Sequence, residues 1–386
     1  MQDKRSARCT IRPLARCCAF AVAIALSSIP VAMLAAQSPL KASNTSRASN
    51  APIVRRYAPD SLWRRVWIVG SDSTSDTFVE PRQITVTGDL VAVLDAGTRE
   101  VHALDARTGV TRFVLKPRGQ GPGEFKRPAM LAASPDGFVV LDHANARLTA
   151  YDRTGRRAWD AVLDNIFVID GLCVRNGPSV VVKLKRRDSS IVEYDTTGRR
   201  TAVRSFPWKF VPPNDPGFAY SAFTSDASPQ GDCVVAPIFG SEWGVAAAAG
   251  PPRVFGLKEP GVPAVVVTSE RILQRTLTRV LVEGSQQSDT RHASRGALIR
   301  GDTAIVYAAR TQQFPLRVLD YYSVRTGDYL FSRRLPYSFN TLTIGADGTF
   351  YGILISQTEL AVIAMRPESP QSRRPGPPYG SVPVRK

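Results

Sequence analysis

Along the middle of the chain, short apolar runs of Val, Ile, Leu and Ala alternate with clusters of Gly, Pro, Asn and Asp. Two of these runs, Val91-Ala92-Val93-Leu94-Asp95 and Val139-Val140-Leu141-Asp142, are near copies offset by 47 residues. Their length, and the turn residues bounding them, predict buried strands rather than helices. Ten residues after each final Asp comes a second marker, Asp105-Ala106-Arg107-Thr108-Gly109 and Asp152-Arg153-Thr154-Gly155. A third copy ends in Asp195-Thr196-Thr197-Gly198 and a fifth in Ser323-Val324-Arg325-Thr326-Gly327. A period of about 40 to 50 residues with several short strands per unit predicts the blades of a β-propeller.

Each unit opens with an inner strand and a tight turn, as at Ser134-Pro135-Asp136-Gly137, Arg175-Asn176-Gly177, Ser228-Pro229-Gln230-Gly231 and Gly345-Ala346-Asp347-Gly348. Asp-Gly and Asn-Gly supply the positive φ that a two-residue hairpin needs. A second strand, a polar loop, a third strand, the Thr-Gly turn and an outer strand complete the unit. Six units are expected, at about 78–115, 116–163, 164–206, 218–268, 290–335 and 337–366. The sixth lacks an outer strand after Met365, so the run Arg65-Val66-Trp67-Ile68-Val69 is expected to complete it and close the ring. Between units four and five, Leu273, Leu277, Val280 and Leu281 recur at helical spacing after Ser269 and before Gly284. That stretch predicts one inserted amphipathic helix. The fold class expected is therefore all-β: six four-stranded antiparallel blades, closed by an N-terminal strand, with one helix.

The ends read differently. Residues 1–36 have a basic start (Lys4, Arg5, Arg8, Arg12, Arg16) and an apolar stretch from Cys18 to Ala36, the pattern of a cleaved secretory signal, with an uncleaved anchor as the rival reading. Residues 37–60 read as a disordered linker, 61–366 as the propeller and 367–386 as a disordered, basic, Pro-rich tail. A secreted or periplasmic monomer follows, without a transmembrane domain once the signal is cut. Export removes three cysteines and leaves Cys173 and Cys233, a disulfide candidate whose alternative is two buried thiols in separate strands. The net charge of +17 falls to about +13 without the signal. Such a surface attracts polyanions; outside the cell that points to anionic glycans rather than to intracellular nucleic acid.

The second unit carries the most specific motif. Gly119-Gln120-Gly121-Pro122-Gly123-Glu124-Phe125 leads through Asp142 and Asn145 to Arg147-Leu148, Tyr151-Asp152 and Gly155. This resembles an NHL repeat, and in particular the secreted bacterial six-bladed propellers with a G-x-G-P-G-E-F blade turn. The first unit departs from the repeat, with Thr98 and Glu100 where Asn and Arg are usual. Read physically, the motif is structural: Glu124 accepts local backbone N–H groups, Phe125 wedges between blades, Asp142 and Asn145 bond their own loop, and Arg147 reaches a neighbouring strand.

The resemblance implies scaffolds, ligand binders and a few enzymes. The zinc lyases of this kind need three convergent histidines; His102, His143 and His292 occupy unlike repeat positions. Lactonase-like relatives hold calcium on oxygen ligands, for which Glu80, Asp170, Asp226 and Asn340 are the candidates. Arg82, Arg127 and Arg295 at similar blade starts favour an anionic ligand instead. No Gly-x-Ser-x-Gly elbow is present, and the residues imply no cofactor and no committed metal site. The expectation is a non-catalytic ligand-binding or protein-interaction propeller, with a metal-dependent hydrolase or lyase at the channel mouth as the alternative. The lining expected is Arg82, Arg127, His143, Asn145, Arg186, Trp243, Arg295 and Asn340, arginines gripping acidic groups and Trp243 either stacking on a flat face or, equally, filling the core.

Overall fold

The computed structural model describes residues 56–58, 62–70, 77–164, 169–175, 180–184, 190–208, 223–236, 242–258, 271–275, 280–283, 294–308, 316–354 and 360–368. The predicted signal and nearly all of the predicted tail lie outside them. Strand β1 (Trp63–Val69) is followed by blade 1, made of β2 (Pro81–Thr87), β3 (Leu90–Asp95), β4 (Glu100–Asp105) and β5 (Thr111–Leu115). Blade 2 holds β6 (Pro128–Ser134), β7 (Gly137–Asp142), β8 (Arg147–Asp152) and β9 (Arg157–Val162). Blade 3 holds β10 (Ile169–Val174), β11 (Val180–Leu184), β12 (Ser190–Tyr194) and β13 (Arg200–Ser205). Blade 4 holds β14 (Phe223–Ala227), β15 (Cys233–Val235), β16 (Glu242–Ala246) and β17 (Arg253–Gly256). Then come β18 (Arg271–Arg275) and β19 (Val280–Glu283), and blade 5 with β20 (Ser294–Arg300), β21 (Thr303–Ala308), β22 (Val318–Ser323) and β23 (Tyr329–Arg334). Blade 6 has β24 (Phe339–Ile344), β25 (Phe350–Leu354) and β26 (Val362–Pro367).

Six four-stranded antiparallel sheets result, and the sixth runs β1-β26-β25-β24. The N-terminal strand therefore closes the ring as expected, with Trp63 opposite Pro367 and Val69 opposite Val362. Strand β26 reaches one residue into the predicted tail. The predicted linker is also tied down near its end: Ala58 donates to Ser332 O at 2.8 Å and Ser332 to Arg56 O at 2.9 Å, so this segment pairs with the edge of blade 5. The inserted helix is not formed. Its residues make the antiparallel hairpin β18–β19, with Ile272 opposite Val282. The apolar spacing there also fits two short strands, and the β-branched Ile272, Val280 and Val282 favour that outcome.

The innermost strands β2, β6, β10, β14, β20 and β24 neighbour one another around the axis. Apolar residues fill the seams between blades. Phe125 is 2% exposed and packs on Leu90 and Leu94 of blade 1 and on Leu131 and Phe138 of blade 2, the wedge its motif predicts. Glu124 accepts from Gly121 N at 2.7 Å. Arg147 reaches Asp160 on β9 at 3.8 Å; in blade 1 the signs are exchanged, and Glu100 meets Lys116 at 3.4 Å.

The Thr-Gly turns do more than turn. Gly155 has φ +83°, and a Cβ there would sit 2.8 Å from the Phe113 ring on the outer strand of the preceding blade. Gly109 lies against Trp67 of β1 in the same way. Positive φ and a close seam both require glycine. Gly155→Ala is expected to lower stability by about 1–3 kcal/mol, measured by urea unfolding, and a neutral result would remove this account of the seam.

Blade 4 has no Asp-Thr-Gly turn, and a Cβ at Gly250 would meet nothing within 4 Å. Its seam with blade 3 is held otherwise. Cys173 on β10 and Cys233 on β15 form a disulfide, both residues fully buried. Arg175 donates to Ala246 O and Ala247 O at 3.1 and 2.9 Å, and Arg204 to Ala247 O and Gly250 O at 2.9 and 2.7 Å. Both guanidinium groups share the Glu193 carboxylate.

The Asp that opens the Thr-Gly turn of blades 1, 2 and 3 is an acid-sensitive point. Arg112, then the Thr108 hydroxyl and turn N–H groups, hold Asp105 at about 2 against an ordinary 3.8. Asp195 is also held at about 2, first by the Thr197 hydroxyl, and Asp152 is pushed well down, first by that of Thr154. Carboxylates that hold protons less tightly folded than unfolded add stability above the unfolded value and lose it as pH falls through the folded one. The melting temperature should therefore drop between pH of about 4 and about 2, and should drop less in an Asp105→Asn, Asp152→Asn, Asp195→Asn variant. An unchanged acid slope in that variant would assign the lability elsewhere.

Candidate functional site

All six inner strands start at one end of the channel and finish at the other. At the start, Asp95 and Asp142 anchor the loops that follow β3 and β7. Asp95 accepts from Val79 N, Glu80 N, Gly97 N and Thr98 N at 2.6–3.1 Å. Asp142 does the same for Lys126, Arg127, Ala144 and Asn145 at 2.5–3.1 Å. Each carboxylate thus ties the segment leading into an inner strand to the loop between second and third strands. The strongest sequence marker, the Asp closing an apolar run, works as this fastener.

Just inside, the inner strands share a distortion. Pairing with the second strand slips by one residue between Pro81 and Gln83, Pro128 and Met130, Ile169 and Gly171, Ser294 and Gly296, and Phe339 and Thr341. A bulge of this kind frees one residue from the ladder and re-aims its side chain. The residues at that position are Arg82, Ala129, Asp170, Arg295 and Asn340. Three of the expected lining residues therefore occupy one equivalent position on the consecutive blades 5, 6 and 1. Arg295, half-buried as a residue, donates from Nη1 to Asn340 Oδ1 at 3.2 Å, and its Nε is buried with no hydrogen-bond partner among the described residues. Arg82 is exposed and bound to Glu80, with Nε to Oε1 at 2.8 Å.

The other expected residues divide. Arg127 is exposed at the same end, next to β6. His143 donates its backbone N–H to Arg127 O at 3.1 Å, and its Nε2 is buried without a hydrogen-bond partner among the described residues. Burial first, then the Arg127 charge, pushes its pKa below the ordinary value, which keeps the ring neutral. Asn145 serves the fold, its amide donating to Gly119 O and Glu124 O at 3.1 and 3.0 Å. Trp243 corrects the expectation of a stacking platform. It is fully buried between blades 4 and 5 with ring centroids 4.9 Å from Phe255 and 5.2 Å from Tyr322, so no external ligand reaches it. Arg186 and His292, and the side chains of Asp170 and Asp226, lie outside the description.

For a metal, the named candidates do not gather among the described residues. His102 packs on Phe78 at 5.2 Å and sits 3.5 Å from Glu100, within blade 1. Glu80 is taken by Arg82, and Asn340 accepts from Arg295. What the strand-start mouth offers chemically is cationic N–H donors, suited to oxyanions. The signal that would have found the shared position is the second residue of each inner strand, visible once the blades are aligned.

No family model matches the chain, and no curated protein matches it. Solved structures with a similar trace include the WD40 repeats of RRP9 (13% identity, TM-score 0.47, 81% of this chain and 99% of that one). Another is a streptogramin B lyase (11% identity, TM-score 0.46, 80% and 98%). A third is an exported protein from Bacteroides fragilis described as putative (8% identity, TM-score 0.45, 81% and 98%). The propeller architecture itself stands on the strand order and register of this chain.

Proposed function

We propose that this chain is an exported, NHL-like propeller that binds a ligand or partner without catalysis, and that acidic groups of the ligand seat on Arg295, Asn340 and Arg82 at the strand-start mouth. The observation carrying this reading is the shared bulge, which sets Arg82, Arg295 and Asn340 at one equivalent position on adjacent blades, with Arg295 Nη1 donating to Asn340 Oδ1. The G-x-G-P-G-E-F turn supports the NHL-like assignment, and the buried Cys173–Cys233 bridge suits an oxidising compartment. No helix among the described residues is long and apolar enough to cross a membrane.

The test is binding of sulfated and uronic-acid oligosaccharides to the chain from Gln37 onward, compared with an Arg82→Ala, Arg295→Ala variant. Affinity should fall at least about tenfold in the variant and fall with salt in the wild type. Equal affinity in both proteins, or no acidic oligosaccharide bound, overturns the anionic site. One calcium or zinc retained per chain after dialysis would instead support metal-dependent hydrolase or lyase chemistry at this mouth.

A further inference from the structure

The opposite end of the channel is built differently. There the inner strands run into their hairpin turns, and Val86, Ala133, Val174, Ala227, Ile299 and Ile344 line a cavity of about 460 Å³. One comes from each blade. Val86, Ala133, Ile299 and Ile344 each stand three residues before the Asp of the following turn, Val174 and Ala227 lie at the same end of their inner strands, and together the six form an aliphatic collar. Val174, Ile299 and Ile344 are no more than 9% exposed, and the other three are half-buried. Water inside such a collar has few hydrogen-bonding partners, whereas an apolar group loses nothing by replacing it.

Among the polar side chains at the rim, those of Thr87 and Ser228 are already occupied. Thr87 donates its hydroxyl to Ser134 O at 2.9 Å. Ser228 Oγ accepts from Gln230 N and Asp232 N at 3.2 and 3.0 Å. Arg300 is the one charged residue among those lining the cavity, and it is exposed. It spends Nη2 on Ala346 O at 3.0 Å, which lays the guanidinium across the blade 6 turn and leaves further N–H donors for a ligand. An aliphatic collar with the Arg300 guanidinium at its rim, around a cavity in the small-molecule range of about 300–1,000 Å³, fits one chemical class.

We infer that this end of the channel is a second binding site, taking a small amphipathic carboxylic acid with its aliphatic chain in the collar and its carboxylate on Arg300. The site is separate from Arg82, Arg295 and Asn340 at the strand-start mouth and does not depend on those residues binding anything.

Equilibrium dialysis of octanoate, octanol and acetate against the chain from Gln37 onward tests it. Octanoate should bind at one per chain, octanol at least about tenfold more weakly, and acetate not measurably. Arg300→Gln should reduce octanoate to the level of octanol. Ala227→Phe, which fills the collar, should abolish binding of both; Ala133→Leu is the milder plug should thermal melting show Ala227→Phe unfolded. The Arg82→Ala, Arg295→Ala variant should keep full octanoate affinity. Absence of octanoate binding, binding unchanged by Arg300→Gln, or binding unchanged in a folded plug variant overturns the assignment.

Discussion

Trp67→Ala is expected to lower unfolding free energy by about 3–5 kcal/mol, the range for truncating a large buried aromatic. Trp67 is 8% exposed and joins the two ends of the chain to blade 1. Its Nε1 donates to Ala106 O at 2.9 Å, its ring covers Gly109, and Tyr351 of blade 6 lies 5.8 Å away between centroids. The loss is thus concentrated at the seam where the ring closes, and the freed β1 would expose the edge of β26. Trp67→Phe separates the contributions: it keeps most of the packing and loses the hydrogen bond, for a smaller loss of about 1–2 kcal/mol. Guanidinium unfolding of the three proteins measures both. A Trp67→Ala protein within about 1 kcal/mol of wild type would mean that closure rests elsewhere, since surface substitutions commonly cost that little.

The second large effect belongs to the disulfide. Cys173 and Cys233 are 60 residues apart, and a cross-link of that span removes enough unfolded-chain entropy to stabilise the fold by about 4 kcal/mol at most, with about 2–4 typical. The double variant Cys173→Ala, Cys233→Ala should show this loss in denaturant. Reduction of the wild type should be slow until the protein unfolds, because both cysteines are fully buried. The seam should open without falling apart, since Arg175 and Arg204 still hold the blade 4 turn carbonyls. Adding Arg204→Ala to the double variant should then cost more than it does in the disulfide-bonded protein. Strict additivity would show that the bridge and the arginines do not share the load.

The two seams also explain which parts of the sequence were readable. The Asp-x-x-Thr-Gly marker is local: the Asp105 carboxylate accepts Arg107 N and Thr108 N three residues or fewer away, so the turn can be seen without its neighbours. Asp142 is legible only in part: it accepts Ala144 N and Asn145 N within its own loop, but also Lys126 N and Arg127 N from the segment entering the blade. The Asn145 amide, expected to bond its own loop, reaches back to Gly119 O and Glu124 O instead. The hairpin at 271–283 was misread as a helix because apolar spacings of three and four also fit short strands, and only pairing in space settles the choice. Cys173 and Cys233 were visible as a pair, yet that their strands meet is a property of the ring.

The strands of the six blades, their number, the closing strand and the turns were determined by the sequence itself, because each follows from alternation, period or a turn residue acting over a few positions. The tertiary structure alone decided what each repeat position faces. It buried Trp243 in a seam, placed Arg82, Arg295 and Asn340 on one bulge, and set six aliphatic residues around the far end of the channel. A side chain's inward or outward direction in a closed ring depends on a one-residue slip in pairing and on the neighbouring blade, and neither is written in the residue or its immediate neighbours.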